Sequence, residues 1–533
     1  MDPRSRLGAR PLASALLLAA ALACAREAEP PPRPRPVLLV GIDGGEWRVI
    51  ERLWARGELP HLRALAGRGV RATLRTAYNS SPVIWTTIAT GRTPLEHGIT
   101  DFVVPTPRGD VPISSTVRKV PALWNMLSRR GRRVAVVGWW GSWPAESVRG
   151  VVVSDRALLA LPRRVSPDAF LLRFEAIARE AEREPSLFRW QEEAERRDRV
   201  MAHAARRMLG DRAGGGYDLL LLYFRSPDVV SHTDWKWFEP DRFAAVDPRE
   251  LAARRDRVPA VYRAVDEALG RLLAAAPRDA NVLVVSDHGF HAARAEEETR
   301  VVLDLDTVLE RLGFLARRPD GGIDFARTRV YAYASPDFQR ARQVRYALTG
   351  REPGGTVGAA DRAAVRRDLE RALRTVTYAG GEPVFWLRPP RRRETEQGAD
   401  LIVGVSPRGA SEELRVAGAP FRGAVRQIAR ISGTHTRSTH GIFLAAGPDV
   451  DPGADLEGIR IHDIAPTVLY ALGLPVGRDF AGEARVQLFR REFRERHPLR
   501  TIPTWGKRAA PGPTASAADA ALVEELRALG YLD

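Results

Sequence analysis

NVLVVSDHGF, residues 281–290, is the stretch whose reading decides the fold. Val282 to Ser286 is a short, mostly apolar, largely β-branched run with no alternation of polar residues. That pattern suits a strand buried on both faces of a parallel sheet. Asp287, His288 and Gly289 follow at its carboxyl end, where open α/β sheets bind their ligands. A carboxylate and an imidazole there, followed by a glycine that lets the chain turn, are two candidate metal ligands on one strand tip. A lone DHG is more often a turn whose Asp caps a loop, so the rest of the chain has to decide.

Other apolar runs end in similar chemistry. Val37 to Ile42 leads into Asp43-Gly44-Gly45. Asp218 to Phe224 is followed by Asp228, with His232 four residues on, and Gly441 to Ala446 is preceded by His435 and His440. Shorter runs at Val134–Val137 and Val151–Val153 add strands. Helical patterns fall at about 47–56, after Leu59-Pro60, at about 257–275 and at 462–472, so strand and helix alternate as in an α/β fold. Asp and His at i and i+4 share one face of a helical turn and can approach one ion together. Three carboxylates and three imidazoles suit two zinc ions, with iron or manganese as alternatives. Two such ions stabilise both the attacking and the leaving oxygen of an in-line displacement at phosphorus. Each residue alone is weak, because a strand-end Asp is usually a turn residue and an isolated His is usually structural. Their joint placement carries the signal.

A nucleophile is available in NSSPVIWTTIATG, residues 79–91. Ser81 stands just before an apolar helix opened by Pro82, and a helix N-terminus favours a phosphorylated hydroxyl. A metal ion can supply the activation that a general base supplies elsewhere. The plainer reading makes Ser81 the N-cap before a proline at the first helical position. The local sequence fits both.

The chain of 533 residues has a formal net charge of +16, but 79 of its 82 basic residues are arginines spread widely, with lysine only at 119, 236 and 507. No basic helix interleaved with aromatics and no zinc-finger or RNP-type motif is present, which argues against nucleic acid as a specific partner. Cys24 is the only cysteine, so there is no intrachain disulfide. Arg4, Arg6 and Arg10 precede an apolar stretch from Pro11 to Ala23, too short to span a bilayer comfortably. Its end, Ala21-Leu22-Ala23-Cys24, resembles a bacterial lipoprotein processing site. The expectation is a signal peptide over 1–24 and an exported protein, periplasmic or in the cell envelope, lipid-anchored at Cys24. Residues 25–36 are rich in proline and charge and read as a linker. A highly charged helical stretch at about 160–210 reads as an excursion from the core. The segment of about 300–430 reads as an inserted cap, and 491–533 as a tail with a terminal helix at about 517–530.

The order Asp43-Gly44, the Ser81 segment ending TGRTPLEHGI, Asp228-x-x-x-His232, Asp287-His288-Gly289 and a late GTH resembles the alkaline phosphatase superfamily, and within it the type I phosphodiesterase/nucleotide pyrophosphatase family. The likeness runs from about Val37 to Gly482 and includes GREPGG at 350–355. It implies a sandwich of helices around a mostly parallel central sheet with an inserted cap, a catalytic domain over 37–490, and a phosphate-ester substrate. It further implies one zinc on Asp43, Ser81, Asp287 and His288, and another on Asp228, His232 and a late histidine. Ser81 stands where many members have Thr and would form a covalent phosphoserine. For the late histidine, His435 in SGTH fits better, with His440 in STHGIF as the alternative. Nucleotide pyrophosphatases often carry an Asn three residues after the nucleophile. Here that position is Ile84, and Asn79 is a candidate substitute for holding a phosphoryl oxygen.

Other readings remain at this level. A sulfatase shares the fold but needs an Arg where Ser80-Ser81-Pro82-Val83-Ile84 has Ile. A transferase of a phosphorus-containing head group would use the same site. A non-catalytic tethered binding protein on a phosphatase scaffold would have lost a ligand, yet Asp43, Asp228, His232, Asp287 and His288 are all present.

Overall fold

The computed structural model describes residues 34–528, apart from 107–108, 186–191, 212–214, 245, 295–298, 334–340, 392–394, 396–397 and 436–439. Cys24, the signal segment and most of the linker lie outside the described residues. Among those described, no helix is long and apolar enough to cross a membrane.

Eight strands form the central sheet: β1 (Val37–Ile42), β2 (Val70–Arg75), β3 (Val134–Val137), β4 (Gly150–Val153), β5 (Val165–Ser166), β6 (Leu219–Phe224), β7 (Asn281–Val285) and β8 (His440–Ala446). Their order across the sheet is β2-β8-β7-β1-β6-β3-β4-β5. The central run from β7 to β4 is parallel. Strand β8 lies antiparallel to both β7 and β2, and β5 is antiparallel to β4. Strands β1, β6 and β7 are buried along their whole length, as their unbroken apolar runs require. Successive residues face opposite layers: Leu38, Val40 and Ile42 enter one core while Val37 and Leu39 enter the other.

One layer contains α1 (Ser81–Thr90). The other contains α2 (Leu171–Arg183), α3 (Glu193–Gly210), α4 (Ser226–Phe238) and α5 (Arg257–Ala275). Helix α6 (Ile464–Ala471) packs beside α1, and α7 (Asp519–Ala528) closes the described chain. The charged stretch of 160–210 thus supplies α2 and α3, whose Phe174, Ile177, Val200, Met201 and Met208 share the core of that layer. Their charges occupy the outer faces, which is why composition alone made the segment look detached.

Residues 299–430 build small antiparallel sheets around a core of their own, including Val330, Val344, Leu369, Leu401 and Leu414. A two-residue ladder, His291–Ala292 against Gly433–Thr434, ties the far end of this insertion back to the tip of β7.

Candidate active site

The parallel strands deliver their carboxyl ends to one place. Asp43 follows β1, Asp287 and His288 follow β7, and α4 after β6 carries Asp228 and His232. The turn after β1 needs Gly44 because φ is +66° there, and a Cβ would stand 3.0 Å from Asp228 Cα. On the opposite layer α1 brings Ser81 to the same point. Helix α4 is held from behind by Asp198 of α3, whose carboxylate accepts from the backbone N–H groups of Arg225 and Ser226 at 2.8 and 2.7 Å. The charged helix α3 is therefore part of what fixes Asp228 and His232.

Asp43, Ser81, Asp228, His232, Asp287, His288 and His435 are each at most 2 % exposed. Ser81 Oγ lies 3.5 Å from Asp43 Oδ1 and 3.4 Å from His288 Nε2. His288 Nε2 lies 3.2 Å from Asp287 Oδ2 and 3.8 Å from Asp228 Oδ1. His232 Nε2 lies 3.5 Å from Asp228 Oδ1. The ring of His435 stacks on His288 at 3.8 Å and meets His232 edge-on at 5.2 Å.

Two triads, Asp43–Asp287–His288 and Asp228–His288–His435, have ligand atoms within 4.8 Å of one another and can hold metal ions. The chemistry of the donors fits such ions in a further respect. His232 and His288 turn Nδ1 to the carbonyls of Gly433 and Gly289, each at 3.1 Å, which leaves Nε2 facing the carboxylates. This is the second hydrogen bond by which metal-binding imidazoles are usually oriented. Burial, then the charges of Asp287 and Asp228, push the Asp43 carboxyl well above the usual carboxylate range. Burial also acts to raise Asp287, but the neighbouring His288 outweighs it and holds Asp287 low. His288 is opposed by burial and raised by Asp287. Clustered buried carboxylates of this kind call for a cation.

His435 reaches the cluster because the 433–434 ladder and a bond from Ser432 N to His232 O, 2.8 Å, lay its segment across α4. Gly433 passes so close that a Cβ would sit 2.1 Å from Ser231 O. His440 instead begins β8, exposed and paired with Arg75 of β2, outside both triads. The N-cap reading of Ser81 is corrected: Ser80 is the N-cap, without a side-chain capping bond, and Ser81 is the first helical residue. One step along the helix is what turns its hydroxyl inward. Asn79 is half-buried two residues before Ser81, while Ile84 is wholly buried in the core under α1.

Tyr223 was not among the expected residues, yet its hydroxyl donates to Asp43 Oδ2 and accepts from Trp140 Nε1 at 2.6 Å. It pairs in register with Gly41, two residues before Asp43. Only that register, absent from the sequence, connects the two. His97, within TGRTPLEHGI, is wholly buried. It accepts from Ile99 N at Nδ1 and faces Thr87 Oγ1 with Nε2, both at 3.1 Å.

A family model for type I phosphodiesterase/nucleotide pyrophosphatase matches residues 37–388, more than half of the chain. The chain belongs to that family. It is accordingly a metal-dependent hydrolase of phosphoric ester bonds, with a phosphate ester as substrate. No curated protein matches the sequence. Among solved structures, murine ectonucleotide pyrophosphatase/phosphodiesterase 5 aligns with TM-score 0.50 at 15% identity, over 86% of this chain and 100% of that one. The human counterpart aligns with TM-score 0.48 at 15% identity, over 85% and 100%. Phosphonoacetate hydrolase from Sinorhizobium meliloti 1021 aligns with TM-score 0.48 at 17% identity, over 83% and 96%. At 15% identity the likeness to the murine protein concerns the fold alone.

Proposed function

We propose that this protein is an exported phosphohydrolase that cleaves phosphodiesters or phosphomonoesters through a phosphoserine at Ser81. The observation that carries the reading is the meeting of Ser81 Oγ with Asp43 and His288 inside a buried group of carboxylates and imidazoles. Asp43, Ser81, Asp287 and His288 would hold one divalent ion, and Asp228, His232 and His435 a second, with zinc the ion that this mixed N/O donor set suits. Bound there, the two ions would neutralise charge developing at phosphorus and make hydroxyl and water better nucleophiles.

The chain's own residues do the rest. Ser81, fixed on the first turn of a buried helix, attacks phosphorus as the ester oxygen leaves. Asp43 and His288, 3.5 and 3.4 Å away, hold its oxygen in place, and the hydroxyl proton passes by way of solvent to the departing oxygen. A water molecule then attacks the phosphorylated serine on the side of Asp228, His232 and His435, releasing phosphate where the substrate was a monoester and the remaining monoester where it was a diester, and restoring the hydroxyl. The closed surroundings limit competing water and strengthen every charge interaction within. Export, with Cys24 as lipid anchor, rests on the arginines before the apolar 11–23 stretch and on Ala21-Leu22-Ala23-Cys24.

The purified protein should be assayed on bis-(p-nitrophenyl) phosphate, p-nitrophenyl phosphate and p-nitrophenyl sulfate, each with zinc and with EDTA. Zinc-dependent cleavage of a phosphate ester is the expected result, with the preferred ester separating diesterase from monoesterase. Activity confined to the sulfate would overturn the reading. Two bound ions without turnover of any of the three would point to transfer rather than hydrolysis.

A further inference from the structure

The C-terminal helix covers a pocket of arginines beside Asp43. Val523 and Leu526 of α7 form a small apolar cluster with Phe102 and Val103, against which Trp140 packs, separate from the two cores of the sheet. Beneath the helix is a cavity of about 60 Å³ lined by Trp140, Arg156, Arg197, Tyr223, Arg225 and Glu525, among others. Tyr223 bonds Asp43 directly, so this cavity is one side chain away from the Ser81 site.

Guanidiniums sharing a small, poorly hydrated space repel one another unless an anion joins them. Arg225 donates from Nη1 to Glu525 Oε1 at 2.5 Å, and Glu525 is 37% exposed. Arg156 is 6% exposed; its Nη2 donates to Ile113 O at 2.7 Å. Its Nη1 is buried with no hydrogen-bond partner, and Asp519 Oδ1 stands 3.6 Å away. Arg197 lies over the Tyr223 ring, donates from Nη2 to Gly138 O at 2.6 Å and pairs through Nη1 with the buried Asp198 Oδ1 at 3.2 Å. Asp155 also lines the cavity but is committed to the N–H groups of Gly141 and Trp143. Asp155 nonetheless faces Arg156 and Arg197 electrostatically, whereas Glu525, the carboxylate bonded to Arg225, comes from a terminal helix with a shallow seat.

We propose that Arg156, Arg197 and Arg225 form an oxyanion-binding site for phosphate-like groups, and that Glu525 of the C-terminal helix is its built-in occupant. An arriving anion takes the place of Glu525 on Arg225 and lifts α7, which opens the approach to Tyr223 and Asp43. The same chemistry serves a second anionic group on the substrate or a free phosphate that regulates access. The site itself stands independently of the role of Ser81.

Hydrogen–deuterium exchange over residues 519–528 of the full chain tests this as inorganic phosphate is added. Wild type, Glu525→Gln and Arg225→Gln would be compared, each with and without Ser81→Ala, so that any part played by the Ser81 hydroxyl is separated. Phosphate is expected to speed exchange in the helix about threefold or more in the wild type and in Ser81→Ala. Glu525→Gln is expected to lower the phosphate midpoint about tenfold, and Arg225→Gln to abolish the response whatever its basal exchange. Unchanged exchange in the wild type, or an unshifted midpoint in Glu525→Gln, overturns the site. Turnover separates the two sources. If the anion belongs to the substrate, Arg225→Gln raises KM for P1,P2-bis-(p-nitrophenyl) diphosphate and spares that for bis-(p-nitrophenyl) phosphate. If it is a free regulator, added phosphate raises turnover of both esters alike in the wild type. Failure of Ser81→Ala to lose turnover would sink the catalytic reading and leave this one standing.

Discussion

Ser81, Asp43 and His288 owe their chemistry to burial, and burial makes each of them sensitive to small changes. Ser81→Ala removes the proposed nucleophile without changing the packing, and turnover should fall by about 10³-fold or more in steady-state assays. Tyr223→Phe removes only the hydroxyl that donates to Asp43. Loss of such an outer partner should weaken metal retention by about 10–100-fold, read as release to a competing chelator, with the fold unchanged by circular dichroism. His97 gives a pH prediction. Burial, with Arg118 and His462 nearby, lowers its pKa from 6.5 to about 3. The folded protein keeps this imidazole neutral while the unfolded chain protonates it near pH 6.5, so its contribution is whole above that pH and is lost as pH falls toward 3. Stability should therefore drop by about 1.4 kcal/mol per pH unit within that window from this residue alone. His97→Gln should remove that increment from urea unfolding measured between pH 6.5 and 4.

At the scale of the element, β1 and α1 are the coupled pair. Gly41 in β1 lies under Trp85 of α1, and a Cβ there would meet the indole ring at 2.7 Å. Gly41→Ala should cost about 1–3 kcal/mol through overpacking. It should also lower kcat by displacing α1, and urea midpoints with kinetics on one preparation would show both. Strands β1, β6 and β7 were legible because runs buried on both faces do not alternate. The i, i+4 spacing of Asp228 and His232 placed them together for a similar local reason. The antiparallel direction of β8 was not legible, because an apolar run reads the same in either direction. Between His435 and His440, five residues apart, the motif favoured His435, but the geometry that brings it to the cluster was not legible. It depends on the ladder between 291–292 and 433–434, a contact between segments remote in sequence.

Across the whole molecule, the sheet gathers residues from five separated segments at one edge, and that gathering is what the motif order anticipated. The layer of α2 and α3 was harder to read, since helix charge reports the solvated face and says little of the buried one. Tyr223 and the arginines beneath α7 were invisible for a related reason: their partners, Asp43 and Glu525, lie about 180 and 300 residues away. The central claim is that hydrolysis passes through a covalent phosphoserine at Ser81 in a site that holds divalent ions. The most direct measurement is rapid acid quenching of the zinc-loaded protein during turnover of bis-(p-nitrophenyl) phosphate, followed by peptide mass spectrometry. The account predicts a p-nitrophenyl phosphoryl adduct on Ser81, absent in Ser81→Ala and absent after EDTA. Full diester turnover in Ser81→Ala, or an adduct carried by another residue, would contradict it.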